Sequence, residues 1–317
     1  MEKELSSLRD LNTWTLVDLP PKRKALKGRW VYKTKLNKDG SIDKYKARWV
    51  AKGFLQKYGI DYTETFSNTV KPMAYRLLFI LGTYLDWEIE QWDVKSAFTN
   101  SPIDEEIYII QPTGFEDSIS PNKVCRLNKA LYGLKQSARQ WYYYLKELLQ
   151  DLGFYSINSD QSIFINSKTN IIVTSHIDDL LLFSKDKDAI KDLKEQLSKR
   201  VEITDLGPTS YYLGIEITRD RKNKTISLTQ SKFLNEIIKR FNKDQLKPVK
   251  TPSVLGIRLD INPNTATPKD IILYQQQIGS LIYLMTSTRP DIAYALNNCA
   301  RYMANPSQDH FKALDRI

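Results

Sequence analysis

Two apolar runs, Ile171 to Ile177 and Leu180 to Ser184, are separated by nothing but Asp178-Asp179. Short apolar runs bounded by turn residues read as buried strands, and so short an interruption leaves room only for a tight antiparallel hairpin. The reading therefore places two carboxylates at the tip of a rigid ribbon. Adjacent carboxylates on a turn offer the hard oxygen ligands that a cation of the magnesium type requires, although an acidic pair is also an ordinary polar turn. A second feature changes the balance. Asp93 ends another apolar strand read from Glu88, within Gln91-Trp92-Asp93-Val94-Lys95-Ser96-Ala97-Phe98. If the two strands are neighbours, Asp93 lies beside Asp178. Three carboxylates around two cations would offset the charge of a triphosphate and clamp both oxygens of an in-line displacement.

The remaining chemistry is narrowed by what is scarce. Cysteine occurs only at Cys125 and Cys299 and histidine only at His176 and His310, so a four-ligand zinc site would consume all of them. No Gly-x-Ser-x-Gly elbow is present. The first residues have neither a signal peptide's apolar stretch nor a transit peptide's composition, and no run approaches a membrane span. Cytoplasm or nucleus is the expected compartment, with no membrane partner.

Charge is placed unevenly. Thirteen Lys and Arg lie between Pro21 and Lys57 against Asp39 and Asp43 alone, which accounts for the whole net charge of +10. The segment reads as a hairpin: Gly28 to Leu36 alternates, 37–40 is a turn, and Ile42 to Ala51 alternates again. Lys33 and Lys35 share a face, as do Lys44, Lys46 and Arg48. Such a ribbon suits a polyanion, and equally a solvated face.

Elsewhere the pattern predicts helices over 73–87, 137–152, 186–200 and 230–241, a strand at 107–111 and a hairpin from 211–219 to 225–229. Pro248, Pro252, Pro263 and Pro268 mark 247–270 as a linker. Two helices, 273–285 and 291–303, follow it, and a further helical pattern at 310–317 stops without a cap, as a truncated end would. Trp141 with Tyr142, Tyr143 and Tyr144 reads as packing, because adjacent residues on a helix point in different directions.

As a set, several of these stretches resemble, in order, the motifs of copia-type LTR retrotransposon reverse transcriptases. They are Tyr45 to Phe54, Gly59 to Ser67, Asp93 to Phe98, Leu131 to Gln136 with Arg139 to Tyr142, Ile177 to Leu181, Tyr212 to Glu216 and Thr288 to Tyr294. The resemblance implies an α+β right-hand polymerase of fingers, palm and thumb. Its palm would be an antiparallel sheet backed by helices, followed by a C-terminal helical connection. The core would be 1–246, with fingers about 21–92, palm about 93–219 and the thumb starting at about 220–246; 247–270 would be the linker and 271–317 the connection, cut before any ribonuclease H domain.

By motif position, Asp93 and Asp178 would bind two Mg²⁺ ions, or Mn²⁺, with Asp179 assisting and the Val94 carbonyl as a further ligand. Phe98 would exclude a ribose 2′-hydroxyl; on its composition alone it reads as a core aromatic. Lys46 and Arg48 would hold the incoming triphosphate, and Gly133, Lys135, Gln136 and Ser137 would contact nucleotide and template. Local sequence fits a turn glycine at a helix start equally well. Tyr212, Leu213 and Gly214 would grip the primer. The implied partners are an RNA or DNA template with its primer, deoxynucleoside triphosphates and other retrotransposon polyprotein products, in the cytoplasm within a virus-like particle or in the nucleus.

Three positions depart from the family. His176 stands where an aromatic, most often tyrosine, is usual; on a strand it shares a face with Asp178 and would point toward the metals or the primer end. Thr99-Asn100-Ser101 replaces Leu-Asn-Gly, which would strain a turn needing positive φ. Ala138 replaces proline. Two expectations from different classes result: RNA-directed DNA polymerase activity, or a weakened or silent remnant that binds nucleic acid without synthesis. A metal-dependent nuclease on the same acids is a third, which the basic hairpin and ordered motifs disfavour.

Overall fold

The computed structural model describes residues 1–36, 41–254, 256 and 258–317. The turn expected at 37–40 lies outside the described residues, as do Leu255 and Ile257. The chain divides into two compact units, Met1–Pro208 and Thr209–Ile317. The first begins with α1 (Glu2–Asp10), β1 (Trp14–Val17), β2 (Gly28–Leu36) and β3 (Ile42–Ala51). Next come α2 (Pro72–Tyr84), β4 (Glu88–Val94), α3 (Ala97–Asn100), β5 (Tyr108–Ile109), β6 (Val124–Leu127) and α4 (Ser137–Asp151). It ends with β7 (Tyr155–Ile157), β8 (Asp160–Asn166), β9 (Ile171–His176), β10 (Asp179–Ser184), α5 (Lys187–Ser198) and β11 (Ile203–Pro208).

The apolar hairpin of the sequence lies in the middle of a six-stranded antiparallel sheet ordered β11-β4-β10-β9-β8-β7. Continuous burial from Leu180 to Ser184 matches this central place, because a strand covered on both faces has no solvent side to alternate with. Leu180, Leu182, Trp92 and Val94 pack with Trp141 and Leu145 of α4 and with Ile190 and Leu193 of α5. The opposite face carries Phe183 and Ile89 under α2, where Phe79 meets Phe183 edge to face at 5.8 Å. A side chain at Gly82 of α2 would come within 3.1 Å of Ile89, so glycine permits the close approach there.

A second core forms around the basic hairpin: Leu26 and Trp49 pack with Leu8 of α1, Ile107, Ile109, Cys125, Leu127, Leu131 and Leu134. The expected boundary between 92 and 93 therefore does not separate the packing units. Residues 107–134 close over the hairpin, while α2 and β4 belong to the six-stranded sheet. Strands β1, β6, β7, β8 and β11 had no counterpart in the sequence reading; most are short, with no clean alternation of burial.

The second unit holds β12 (Tyr211–Tyr212), β13 (Ile215–Asp220), β14 (Thr225–Thr229), α6 (Ser231–Arg240), α7 (Pro268–Ser287), α8 (Ala293–Ala300) and α9 (Gln308–Asp315). Part of the proline-rich stretch read as a linker is fastened to α9 and to the segment between α8 and α9. The Ala266 N–H donates to Asn305 Oδ1 at 2.8 Å, the Tyr302 hydroxyl to the Leu259 carbonyl at 2.5 Å, and buried His310 bonds the Asp260 carbonyl at 2.9 Å. Composition marked the absence of regular structure there and not these anchors. Among the described residues no helix is long and apolar enough to cross a membrane.

Candidate active site

The turn between β9 and β10 consists of Ile177 and Asp178, since His176 and Asp179 are partners in the ladder. Asp179 is also the register partner of Asp93 on β4. Directly opposed residues of antiparallel strands project from the same face, so Asp93, Asp179 and His176 share one face of the sheet. Asp178 sits on the turn, its carbonyl accepting the Val94 N–H at 2.9 Å. The sequence thus joins acids far apart in the chain through one strand pairing. One expectation needs correcting. His176 does not share a strand face with Asp178, because the chain reverses between them; its partner is Asp179.

The turn is strained. Ile177 has φ 60°, a region that β-branched residues rarely adopt. Its carbonyl accepts the indole N–H of buried Trp141 at 2.7 Å, and its side chain packs against the α4–α5 core. Trp141 is therefore a support for the turn, in agreement with its reading as packing. Strain held by surrounding structure is a feature of functional sites.

Burial is the chief cause that lifts the Asp179 carboxyl above its ordinary range, and the neighbouring Asp178 and Asp93 charges add to it. Gln91 opposes the shift by donating to Asp179 Oδ1 at 3.3 Å, and His176 opposes it electrostatically. A half-buried group of hard oxygens whose like charges face one another suits a divalent cation of the magnesium or manganese type. Among the described residues no three such side chains form a ready-made metal cluster. Gln91, buried and two residues before Asp93, escaped the sequence reading; alternation along β4 places it on the acids' face.

The basic ribbon pairs as expected, with Lys33 the register partner of Lys46. Like charges set directly opposite cost stability. Lys44, Lys46 and Arg48 follow one another along that face. Arg48 lies 4.7 Å over the ring of Tyr132, and the Tyr132 ring is 5.0 Å from that of Phe98. Phe98 itself is half-buried against the sheet core. Burial raises the Tyr132 hydroxyl's pKa; Arg48 lowers it and the Asp178 charge raises it. Tyr132 therefore joins Arg48 of the cationic ribbon to Phe98, and no pattern in the sequence signals this. Glu4 of α1 also senses Arg48 and Lys46, which partly offset the rise that burial causes in its pKa.

The expected nucleotide-contacting segment divides. Lys135 is exposed, its ammonium 2.9 Å from the Tyr62 hydroxyl. Gly133 has φ 92°, and a Cβ there would come within 2.2 Å of the Ala51 carbonyl oxygen, so the glycine serves loop packing. Gln136 is the clear correction. It has no exposed surface, it accepts from Gln56 at 3.0 Å and donates to the Asp61 carbonyl at 2.8 Å and to Glu105 at 3.1 Å. A buried amide with both ends occupied is a clasp and does not face a nucleotide. Ser137 is likewise buried, donating to the Leu131 carbonyl at 2.6 Å.

The Leu-Asn-Gly substitution costs no strain at its last position. Ser101 adopts φ −81° and donates to the Phe98 carbonyl at 2.8 Å; the positive φ falls at Ser96, at 52°. Ala138 keeps a tie to the loop before α2, its carbonyl accepting from the Ser67 hydroxyl at 2.9 Å.

In the second unit, Leu213 and Gly214 form a two-residue turn between β12 and β13, with φ 47° and 80°. Positive φ at both positions is the hairpin pattern of type I′. The Leu213 carbonyl accepts the Tyr283 hydroxyl at 2.6 Å, and a side chain at Gly214 would collide with that hydroxyl at 2.1 Å. Tyr212 is fully buried, so it supports this turn and is not placed to touch a primer.

Two opposed carboxylates with a third on the adjoining turn of an antiparallel sheet, and a cation-bearing ribbon in the same unit, make up the candidate site. The chain belongs to the reverse transcriptase (RNA-dependent DNA polymerase) family, which matches residues 11–255. Its relatives are copia-type retrotransposon polyproteins. Over the whole chain it is 40% identical to a retrovirus-related Pol polyprotein from transposon TNT 1-94 of Nicotiana tabacum, and 38% identical to one from transposon RE2 of Arabidopsis thaliana. It is 31% identical over 96% of its length to a truncated transposon Ty1-A Gag-Pol polyprotein of Saccharomyces cerevisiae. The chain spans 24%, 22% and 26% of these relatives respectively.

Proposed function

We propose that this chain is the RNA-directed DNA polymerase region of a copia-type retrotransposon polyprotein, adding deoxynucleotides to a primer 3′-hydroxyl on an RNA or DNA template. The observation that carries the reading is the β4–β10 register, which sets Asp93 opposite Asp179 with Asp178 on the adjoining turn. Asp93, Asp178, Asp179 and the Val94 carbonyl would hold two Mg²⁺ ions, or Mn²⁺. When bound, such ions activate the attacking hydroxyl and neutralise the departing pyrophosphate. Arg48 and Lys46 bind the triphosphate and orient it over the acids. Phe98, braced by Tyr132, closes the space beside the sugar C2′ and so selects deoxyribose. Lys135 remains a nucleotide or template contact, and the Leu213-Gly214 turn a primer contact. In this reading the six-stranded sheet is the palm, the basic ribbon with its core belongs to the fingers, and thumb and connection lie in the second unit. Cytoplasmic particles or the nucleus would house it, with other polyprotein products as partners.

The test is primer extension on poly(rA) with dTTP and Mg²⁺. Incorporation that Asp178→Asn abolishes supports the enzyme. Salt-sensitive binding of the same template without incorporation supports a silent remnant, and template cleavage supports a nuclease.

A further inference from the structure

Helix α2 is apolar on two sides. Its inner side, Tyr75, Leu78, Phe79 and Gly82, is buried against the six-stranded sheet. Its outer side exposes Met73 (73%), Leu77 (54%), Ile80 (60%) and Tyr84 (68%), flanked by Leu81 and Leu85. A helix that is hydrophobic all round is a buried helix, yet among the described residues of Met1–Pro208 nothing covers half of this one. From the fractional exposures, the six outward side chains present roughly 600 Å² of largely apolar surface, the upper end of what a monomer carries in one patch. That is about three-quarters of one partner's share of a standard interface.

The chemistry of the patch narrows its occupant. None of the six residues is charged, and the one cation of α2, Arg76, stands half-buried at the edge of the patch, so the centre of the patch offers a phosphate backbone nothing to bind. A membrane-surface helix needs a charged face opposite its apolar one, and here the opposite face is the sheet core. The spacing Met73, Leu77, Ile80, Tyr84 runs four, three, four, the seam by which one helix packs into another. This spacing is also palindromic. Around a two-fold axis, an antiparallel copy of α2 sets Leu77 against Ile80 and Met73 against Tyr84, in both directions at once. An isologous contact requires such self-complementarity.

We infer that the outer face of α2 is a homodimer interface, closed by α2 of a second copy in antiparallel register. This rests on the packing of α2 and not on the polymerase assignment. The experiment is sedimentation equilibrium of the 317-residue chain over a concentration series reaching about 100 µM. The unmodified chain is expected to form a concentration-dependent dimer. Leu77→Glu and Ile80→Lys should each raise the dimer dissociation constant by more than roughly 100-fold, about 2.7 kcal/mol, with unchanged far-UV circular dichroism. Mixing the two variants should restore dimers, since position 77 of one copy meets position 80 of the other with opposite charge. A monomer throughout the series, a dimer indifferent to both substitutions, or a mixture that stays monomeric overturns the inference. Flotation of a monomeric chain with phospholipid vesicles would assign the face to a lipid surface instead.

Discussion

Asp179 is the register partner of Asp93 in the β4–β10 ladder, and Gln91, next on the same face, donates a hydrogen bond to it. Two acids are therefore held against each other by the sheet itself, partly shielded from water. The arrangement opposes folding stability and favours a ligand of positive charge.

For Asp179 the sign follows from its raised pKa. A carboxyl that holds its proton more tightly in the folded state leaves stability undiminished below the usual carboxylate range, and stability is lost as pH rises through the raised folded value. Asp179→Asn should therefore raise the melting temperature at neutral pH and flatten its acid-to-neutral slope. If the acid serves the reaction, the same variant loses incorporation by more than roughly 100-fold. Thermal scans at several pH values, with primer extension, measure both.

Cation binding should relieve the same repulsion. Millimolar Mg²⁺ or Mn²⁺ is expected to raise the melting temperature of the unmodified chain by mass action. That shift should vanish in Asp93→Asn and in Asp178→Asn. A shift retained in both variants would place the cation elsewhere.

The tilted ring contact of Phe98 with Tyr132, which lies under Arg48, suggests a graded pair of variants. Phe98→Ala should raise ribonucleotide incorporation relative to deoxynucleotide, read as a ratio of kcat/KM values. Tyr132→Ala should do so more weakly, while raising the KM for dTTP through the freed Arg48. Unchanged sugar selectivity in both would remove the ring pair from the site.

Gln136 separates clasp from contact. Gln136→Ala removes one hydrogen-bond partner each from Gln56, the Asp61 carbonyl and Glu105 and should cost about 2 kcal/mol of stability, lowering the melting temperature while leaving KM for nucleotide unchanged at permissive temperature. A raised KM with unaltered stability would restore its nucleotide role.

Trp141→Phe removes the donor that holds the Ile177 carbonyl while keeping an aromatic in the core. It should destabilise by about 1 kcal/mol. If the turn positions Asp178, it should also lower kcat more than it raises KM.

Much of the fold was legible in local pattern. The hairpin around Asp178-Asp179 and α2 follow from uninterrupted apolar runs, the basic ribbon from alternation, and α4 and α5 from helical patterning, each a property of neighbouring residues. The acids were legible as residue types placed at strand ends. Less legible were the roles of Gln136 and Tyr132, four residues apart in the chain yet opposite in outcome. Their difference lies in which distant residues close over them, and neither burial nor ring contact has a local signature.

Sequence by itself determined the short-range elements, the scarcity of other catalytic groups and the family, since alternation, turn length and ordered motifs are properties of neighbouring residues. Tertiary structure alone decided that Asp93 meets Asp179, that His176 shares their face and not that of Asp178, and that α2 turns a second apolar side outward. Those outcomes depend on strand order and register, which are fixed by the burial of residues far apart in the chain and are written in no single segment.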